Sequence, residues 1–541
     1  MKKRTWLALP AVLALGLTAC AGNADSAASA ASDAASGAAV EATTGVVTTN
    51  GAEPQNPLIP GNTNETGGGK IIDLLFSKLV TYKADGTAVN DAAESITSDD
   101  NKVWTIKLRQ DGKFSDGTPV LAKNFVEAWK KAAKESMLAS YFYKEIEGAS
   151  EEGTGDLTGL KVVDDYTFTI TLKQPEAEYP ARLGYYAYAP LPDSTLADLK
   201  AGGEKPVGNG PYKLGESGWE HNKQISLVPS ETYNGVRKVM NGGVTIIFYA
   251  SQDAAYADLT SGELDILDAI PDQAFSTYME ELDGRGVNQP AAIFQSFAIP
   301  TRMPHFSGEE GYLRREAISY SINRPEVTKA IFADTRTPAK DFTSPVVAGY
   351  NDAVPGSEVL SYNPEKAKEL WAKADAIAKW DGKFEIAYNS DGGHQAWVDA
   401  VANSIKNTLG IEAAGKPYAD FKSLRTEVTN RTITTAFRTG WQGDYPSKFN
   451  FIAPLYGTGA GSNDTEYSNP EVDKLIKEAA AAKTPEESQA ILDKVQEILF
   501  KELPVIPLWY SNSSAGWSHK VDHVVFGWDS VAIYTDVTKA E

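Results

Sequence analysis

Apolar residues recur along this chain at two spacings, and each clear stretch predicts an element. In Val103 to Arg109, V-W-T-I-K-L-R, Trp104, Ile106 and Leu108 share one face while Thr105, Lys107 and Arg109 share the other. That alternation is the pattern of a half-buried strand. Tyr166 to Leu172, Y-T-F-T-I-T-L, repeats it. Between the two, Phe125, Trp129 and Ala132 lie at helical spacing and predict a helix around Lys123 to Lys134, behind Pro119. Lys70 to Tyr82 has helical and then strand-like spacing, and Val505 to Tyr510 predicts a late strand of large apolar residues. Asp85-Gly86, Asp111-Gly112 and Asp116-Gly117 are turn signals, and Pro175, Pro180, Pro190 and Pro192 predict a loop-rich passage. Asn363-Pro364 and Asn469-Pro470 place a cap and a first-turn proline at two helix starts. Thr484-Pro485-Glu486-Glu487 adds a capping box. From about Gly311 onward strands interleave with helices, so α/β lobes are expected.

The start of the chain follows other rules. Lys2, Lys3 and Arg4 precede an apolar run from Trp6 to Ala19. The run falls short of the roughly 20 residues a spanning helix needs, so 1–20 reads as an export signal. It ends Leu17-Thr18-Ala19-Cys20, which resembles a bacterial lipobox, whose cysteine carries the lipid. Residues 21–50 are mostly Ala, Ser, Gly, Asp and Thr, too poor in large apolar groups to offset ordering entropy. They predict a flexible tether, with folded structure beginning near Gly51.

Composition narrows the function classes. The chain has 541 residues, enough for two or three lobes, and a formal net charge of -21. Such an acidic balance argues against nucleic acid, which needs a concentrated basic surface. Cys20 is the only cysteine, so no disulfide within the chain and no cysteine-based metal site is expected. His221, His305, His394, His519 and His523 are scattered, and no metal or cofactor is expected. Gly-x-Ser-x-Gly, His-Glu-x-x-His and P-loop patterns are missing from the sequence, which speaks against an enzyme.

The richest candidate chemistry lies in Ala436 to Phe451, A-F-R-T-G-W-Q-G-D-Y-P-S-K-F-N-F. An apolar-flanked run, Thr434 to Thr439, carries Arg438 and is expected to break at Gly440-Trp441; Gly443 then delivers Asp444 and Tyr445. An arginine, an indole and a carboxylate thus leave one strand end together. They suit a ligand bearing both charges, or else form a surface salt bridge on an ordinary turn.

Val103 to Trp129, V-W-T-I-K-L-R-Q-D-G-K-F-S-D-G-T-P-V-L-A-K-N-F-V-E-A-W, resembles the signature segment of the extracytoplasmic solute-binding proteins of peptide-type ABC transporters. Val207 to Leu214, Leu313 to Arg324, Ser361 to Trp371 and the Gly440-Trp441 to Asp444-Tyr445 segment resemble further family motifs in order. The resemblance implies a periplasmic-binding-protein type II-like α/β fold, with two hinged lobes and a smaller extra domain. Domain I would combine 46–87, 207–292 and 513–541; domain II would be 88–206 and domain III 293–512. It also implies that Asp444 binds a peptide's α-ammonium group. By the same resemblance Arg438 and His394 would meet its carboxylate, and Trp441, Phe421, Trp509 and Tyr510 would stand on the ligand face, with Tyr445 as a further ligand-binding residue. The partners implied are a peptide, an ABC permease with its ATPases acting indirectly, and the outer face of the cell membrane through the lipid. A monomer without catalysis is expected. The same fold binding an oligosaccharide or another small solute is the nearest alternative, and a secreted hydrolase is a remote one. Asn323 stands where the family usually has aspartate, Pro446-Ser447-Lys448 departs from the usual sequence after the tyrosine, and the lysine some members use at a carboxylate end has no match.

Overall fold

The computed structural model describes residues 41–541 apart from 64, 391, 392 and 420, and the side chains of Phe421 and Lys422 also lie outside the description. The expected export signal, Cys20 and most of the expected tether therefore fall outside the described residues. No helix among the described residues is long and apolar enough to cross a membrane.

Folded structure begins earlier than the expected Gly51. Val46–Gly51 is a strand, paired in parallel with Gly243–Phe248 from Val46↔Gly243 to Gly51↔Phe248. Val47 and Thr49 are completely buried on its inner face. Its small polar residues resemble residues 21–45 in composition, which hid the alternation.

Other expectations hold closely. Val103–Leu108 is a strand with Trp104, Ile106 and Leu108 buried. Ala122–Lys134 is a helix whose stripe of Phe125, Trp129 and Ala132 is buried, with Phe125 and Trp129 against the Phe168 ring. The Asn363 and Asn469 side chains cap their helices, accepting from the backbone N–H groups of Lys366 and Glu471. Thr484 caps Pro485–Glu502, but Glu487 reaches back to the N–H of Lys483, one residue before the cap. Asn323, the departure from aspartate, still caps the helix Arg324–Phe332 by accepting from Glu326. The proline-rich passage holds short helices, among them Tyr179–Arg182 and Leu199–Glu204.

Outside 88–206, where Ala93–Thr97, Val103–Leu108, Thr167–Thr171 and Leu160–Asp164 form a separate four-stranded sheet, an 11-stranded mixed sheet runs through the chain. At one end lie Ala413–Tyr418, Phe384–Asn389 and Ala436–Gln442; at the other Val46–Gly51, Gly243–Phe248, Gln224–Pro229 and Tyr212–Glu220. Two 13-residue strands, Gly286–Ala298 and Val505–Trp517, run antiparallel through its middle. One half of each packs in a core that includes Phe294, Phe297, Ile506 and Leu508. Their other ends reach a second core, around Val47, Ile72, Trp129 and Ala515. The sheet therefore spans two lobes, each with its own apolar interior. Both expected crossing points, 292/293 and 512/513, fall inside these strands. The register between them shifts from Pro290↔Asn512 to Phe294↔Tyr510. The late strand runs well past Tyr510 because its Ser511–Trp517 half, polar in sequence, is held by backbone pairing.

Candidate ligand-binding site

The register shift has a direct product. Ala291 and Ala292 drop out of the ladder with the second crossing strand. Ala292 then donates its N–H to the Trp528 carbonyl at 2.8 Å, and its own carbonyl accepts from the Gly443 N–H at 2.8 Å. Two loops from different parts of the chain are thereby pinned to one residue. Gly443 is needed for this approach, since a Cβ there would come within 2.9 Å of the Phe451 ring.

Between the two loops lies a cavity of about 260 Å³. Gln442, Gly443 and Asp444 form one wall, Trp528, Asp529 and Val531 another, and Tyr82, Tyr141, Tyr185 and Tyr186 close it with rings. Glu65, Lys70 and Asp73 line the helix Thr66–Leu75 side. The strand before Asp444 does not break at Gly440-Trp441 as expected. It continues to Gln442, paired with Gly286–Ala298 through Gly440↔Gln295 and Trp441↔Phe294.

One buried side chain organises the Asp444 wall. Asn450 Oδ1 accepts from the Asp444 N–H at 2.9 Å and from the Trp441 indole at 3.1 Å, while its Nδ2 donates to Asp444 Oδ2 at 3.0 Å. Asp444 Oδ1 accepts no hydrogen bond from the described residues. Burial pushes the Asp444 carboxyl above its ordinary range; the Asn450 bond, then Arg182 and Lys144, pull the other way. A half-buried carboxylate with one oxygen uncommitted is suited to a cation.

The remaining expected residues are placed variously. Arg438 Nε donates to Asn389 Oδ1 at 2.7 Å. His394 stands at the start of the helix Gln395–Leu409, and its Nδ1 accepts from the Trp397 indole at 3.1 Å. Both flank the end of Phe384–Asn389, away from the cavity's lining. Trp441 packs on the core and holds Asn450. Phe421 begins the helix Phe421–Thr429, and its side chain lies outside the described residues.

Three aromatic expectations need correction. Trp509 is fully buried, edge-on to Trp397 and Phe332, with its indole donating to Gln295. Tyr510 is fully buried, with its hydroxyl accepting from the N–H groups of Lys340 and Asp341. Each occupies core space and spends its polar handle inside, so neither lines the cavity. Tyr445 is buried as well; its hydroxyl accepts from Arg182 at 3.2 Å, bridging to the small 88–206 region. That bridge is one of several: Ala177 donates to the Ala480 carbonyl, Asn101 to the Ala482 carbonyl, and Ser447 to Glu178.

Sequence reading missed Asn450, Asp529, Trp528 and the tyrosine wall. The Tyr185-Tyr186-Ala187-Tyr188 run was the available signal for the last.

A mixed sheet shared by two lobes, with a carboxylate-bearing cavity between them, is the periplasmic-binding-protein type II-like fold. An unliganded open form of the murein tripeptide-binding protein MppA superposes on it with a TM-score of 0.80 at 24% identity, covering 92% of this chain and 97% of that one. Residues 87–463 match the bacterial extracellular solute-binding proteins, family 5, in their middle region, and the chain belongs to this family. The oligopeptide-binding protein OppA of Bacillus subtilis is 26% identical over 472 residues, 84% of this chain and 85% of its own length. The periplasmic oligopeptide-binding protein OppA of Escherichia coli is 27% identical over 483 residues, 86% and 87% respectively.

Proposed function

We propose that this protein captures peptides between its lobes for an ABC importer, with Asp444 holding the peptide's α-ammonium group. The observation that carries this reading is the uncommitted Asp444 oxygen on the cavity wall, held in place by Asn450. A peptide has one fixed cation at its start and a regular backbone behind it. A carboxylate sets its register, and the exposed Gly440 and Gln442 edge of the neighbouring strand offers backbone groups for pairing. The relatives named for oligopeptides and murein peptides support peptide as the solute class. Arg438 and His394, near one another's elements, would meet the far end of longer ligands.

Capture is completed by closure of domain I against domain III. The crossing strands Gly286–Ala298 and Val505–Trp517 act as the hinge, bending at the register shift. Closure excludes water and strengthens the ion pair. The closed form is then presented to the permease, and lipid at Cys20 keeps the receptor at the outer face of the membrane, on a tether of some 25 residues. The protein performs no catalysis of its own.

Calorimetry with a tripeptide tests the central claim. Asp444→Ala leaves the ligand cation unpaired and is expected to cost about 3–5 kcal/mol of binding, more than a hundredfold in affinity. Undiminished affinity would sink the assignment.

A further inference from the structure

The cavity beside Asp444 carries more negative charge than one ammonium group needs. Glu65, Asp73, Asp444 and Asp529 line it, against Lys70 alone. The positive groups nearby are mostly engaged. Lys70 is ion-paired with Asp268 and also donates to the Asn50 carbonyl at 2.8 Å. Asp73 is held by Lys78 and by Arg237. Arg182 is paired with Glu176, and Lys144 lies within 3.8 Å of Glu145. Glu65 spends both oxygens on the Gly68 N–H at its helix start. Two carboxylates of the lining are left without an ion pair among the described residues, Asp444 and Asp529. Asp529 Oδ1 accepts from the Val531 N–H at 3.1 Å, and Oδ2 accepts nothing from the described residues.

The rings around them supply an independent observation. Tyr82 and Trp528 stand edge to face, 5.5 Å apart, Tyr185 and Tyr186 lie 4.0 Å apart, and Tyr141 completes the aromatic lining. Aromatic walls flanked by carboxylates attract an organic cation by ring quadrupole as well as by charge. An uncharged side chain would leave the Asp529 carboxylate desolvated with nothing to offset it.

We infer that this cavity is the pocket for the first side chain of the ligand and selects a cationic one, lysine or arginine, with Asp529 as the residue that determines the preference. The inference rests on the peptide reading. The α-ammonium group held by Asp444 is one carbon from the side chain of the same residue, so that side chain enters the space Asp444 faces. Burial, with Asp73 nearby, pushes the Asp529 carboxyl up to about 6, the behaviour of a site that lacks its counter-charge.

Calorimetry on the whole chain, freed of co-purifying ligand, compares three tripeptides: Lys-Ala-Ala, norleucine-Ala-Ala and Glu-Ala-Ala. Norleucine keeps the length of lysine and removes its charge. The lysine peptide is expected to bind about tenfold more tightly than the norleucine peptide, and the glutamate peptide most weakly. In Asp529→Asn the lysine advantage is expected to fall below about threefold, with unchanged circular dichroism reporting an intact fold. Equal affinity of the lysine and norleucine peptides for the native protein overturns this inference and leaves the peptide reading standing. Binding of none of the three overturns both. An advantage that persists in Asp529→Asn removes Asp529 from the role.

Discussion

The two charged centres expected to grip opposite ends of a ligand are built differently. At Asp444 a single side chain, Asn450, fixes the backbone and one carboxylate oxygen, and the residue lines a cavity. At Arg438 and His394, Nε is already bonded to Asn389 and Nδ1 to Trp397, and the cavity does not reach them. The first centre is preorganised in the sense that little must move for a cation to bind. The second lies off the cavity, tied to neighbouring side chains, so a ligand has to extend beyond the cavity to reach it. Preorganised contacts yield more of their gross energy as affinity, so ligand recognition here is expected to be lopsided toward the amino end.

The sharpest way to break that comparison is to block each end of one tripeptide in turn. N-acetylation removes the cation at Asp444 and is expected to weaken binding by about a hundredfold, while C-amidation costs less than tenfold. Equal losses would show that the two centres are equivalent. Asn450→Ala comes next. It leaves the Trp441 indole and the Asp444 N–H without their acceptor and frees the carboxylate to rotate. A loss of about 2 kcal/mol in thermal stability is expected, with peptide affinity down roughly tenfold. Normal affinity in this variant would mean that Asp444 needs no brace.

The smallest expected effect concerns Asp529 in the empty protein. Its folded pKa, about 6, lies above the ordinary 3.8, so between those values the folded state binds more protons than the unfolded one. The native protein therefore loses stability from this group as pH rises through that window. Asp529→Asn removes the penalty and keeps the Val531 bond. Asp73 and Lys78, the charged neighbours, hold each other in both proteins. The variant is expected to be more stable by roughly 2 kcal/mol at pH 8, with the gain fading between pH 6 and pH 4. A gain that persists at pH 4 in thermal unfolding would contradict the charge argument.

How far the sequence alone could be read depended on whether one segment's own pattern decided the outcome. Val103–Leu108 and Ala122–Lys134 were legible because their apolar periods are strong and local. The caps at Asn363 and Asn469 were legible because a cap involves only the next few residues. Val46–Gly51 was not, since its strand state depends on partners about 200 residues away. The second half of Val505–Trp517 was hidden for the same reason, as backbone pairing, not side-chain pattern, holds Ser511 to Ser514 in the sheet. At the site, Asp444 stood out by its motif, whereas Asn450 has no local signature and acts by folding back over six residues. Trp509 and Tyr510 were expected on the ligand face because aromatic type does not reveal which face is inward. Their hydrogen bonds to Gln295, Lys340 and Asp341 decide that. Arg324 in the Leu313 to Arg324 motif is buried and satisfied by the carbonyls of Pro507, Ser319 and Leu360, contacts that no spacing announces.

The strand Val46–Gly51 also bears on when the chain can fold. It sits in the interior of the sheet, between Gly243–Phe248 and Ile266–Leu267. During synthesis it has no pairing partner until nearly half the chain has been made. A sheet completed by contacts so distant in sequence forms slowly, because a long loop must close before any pairing is gained. That delay keeps the newly made chain open until its central strands are available, so the order of synthesis alone sets a lower limit on how early the two lobes can close around a common sheet.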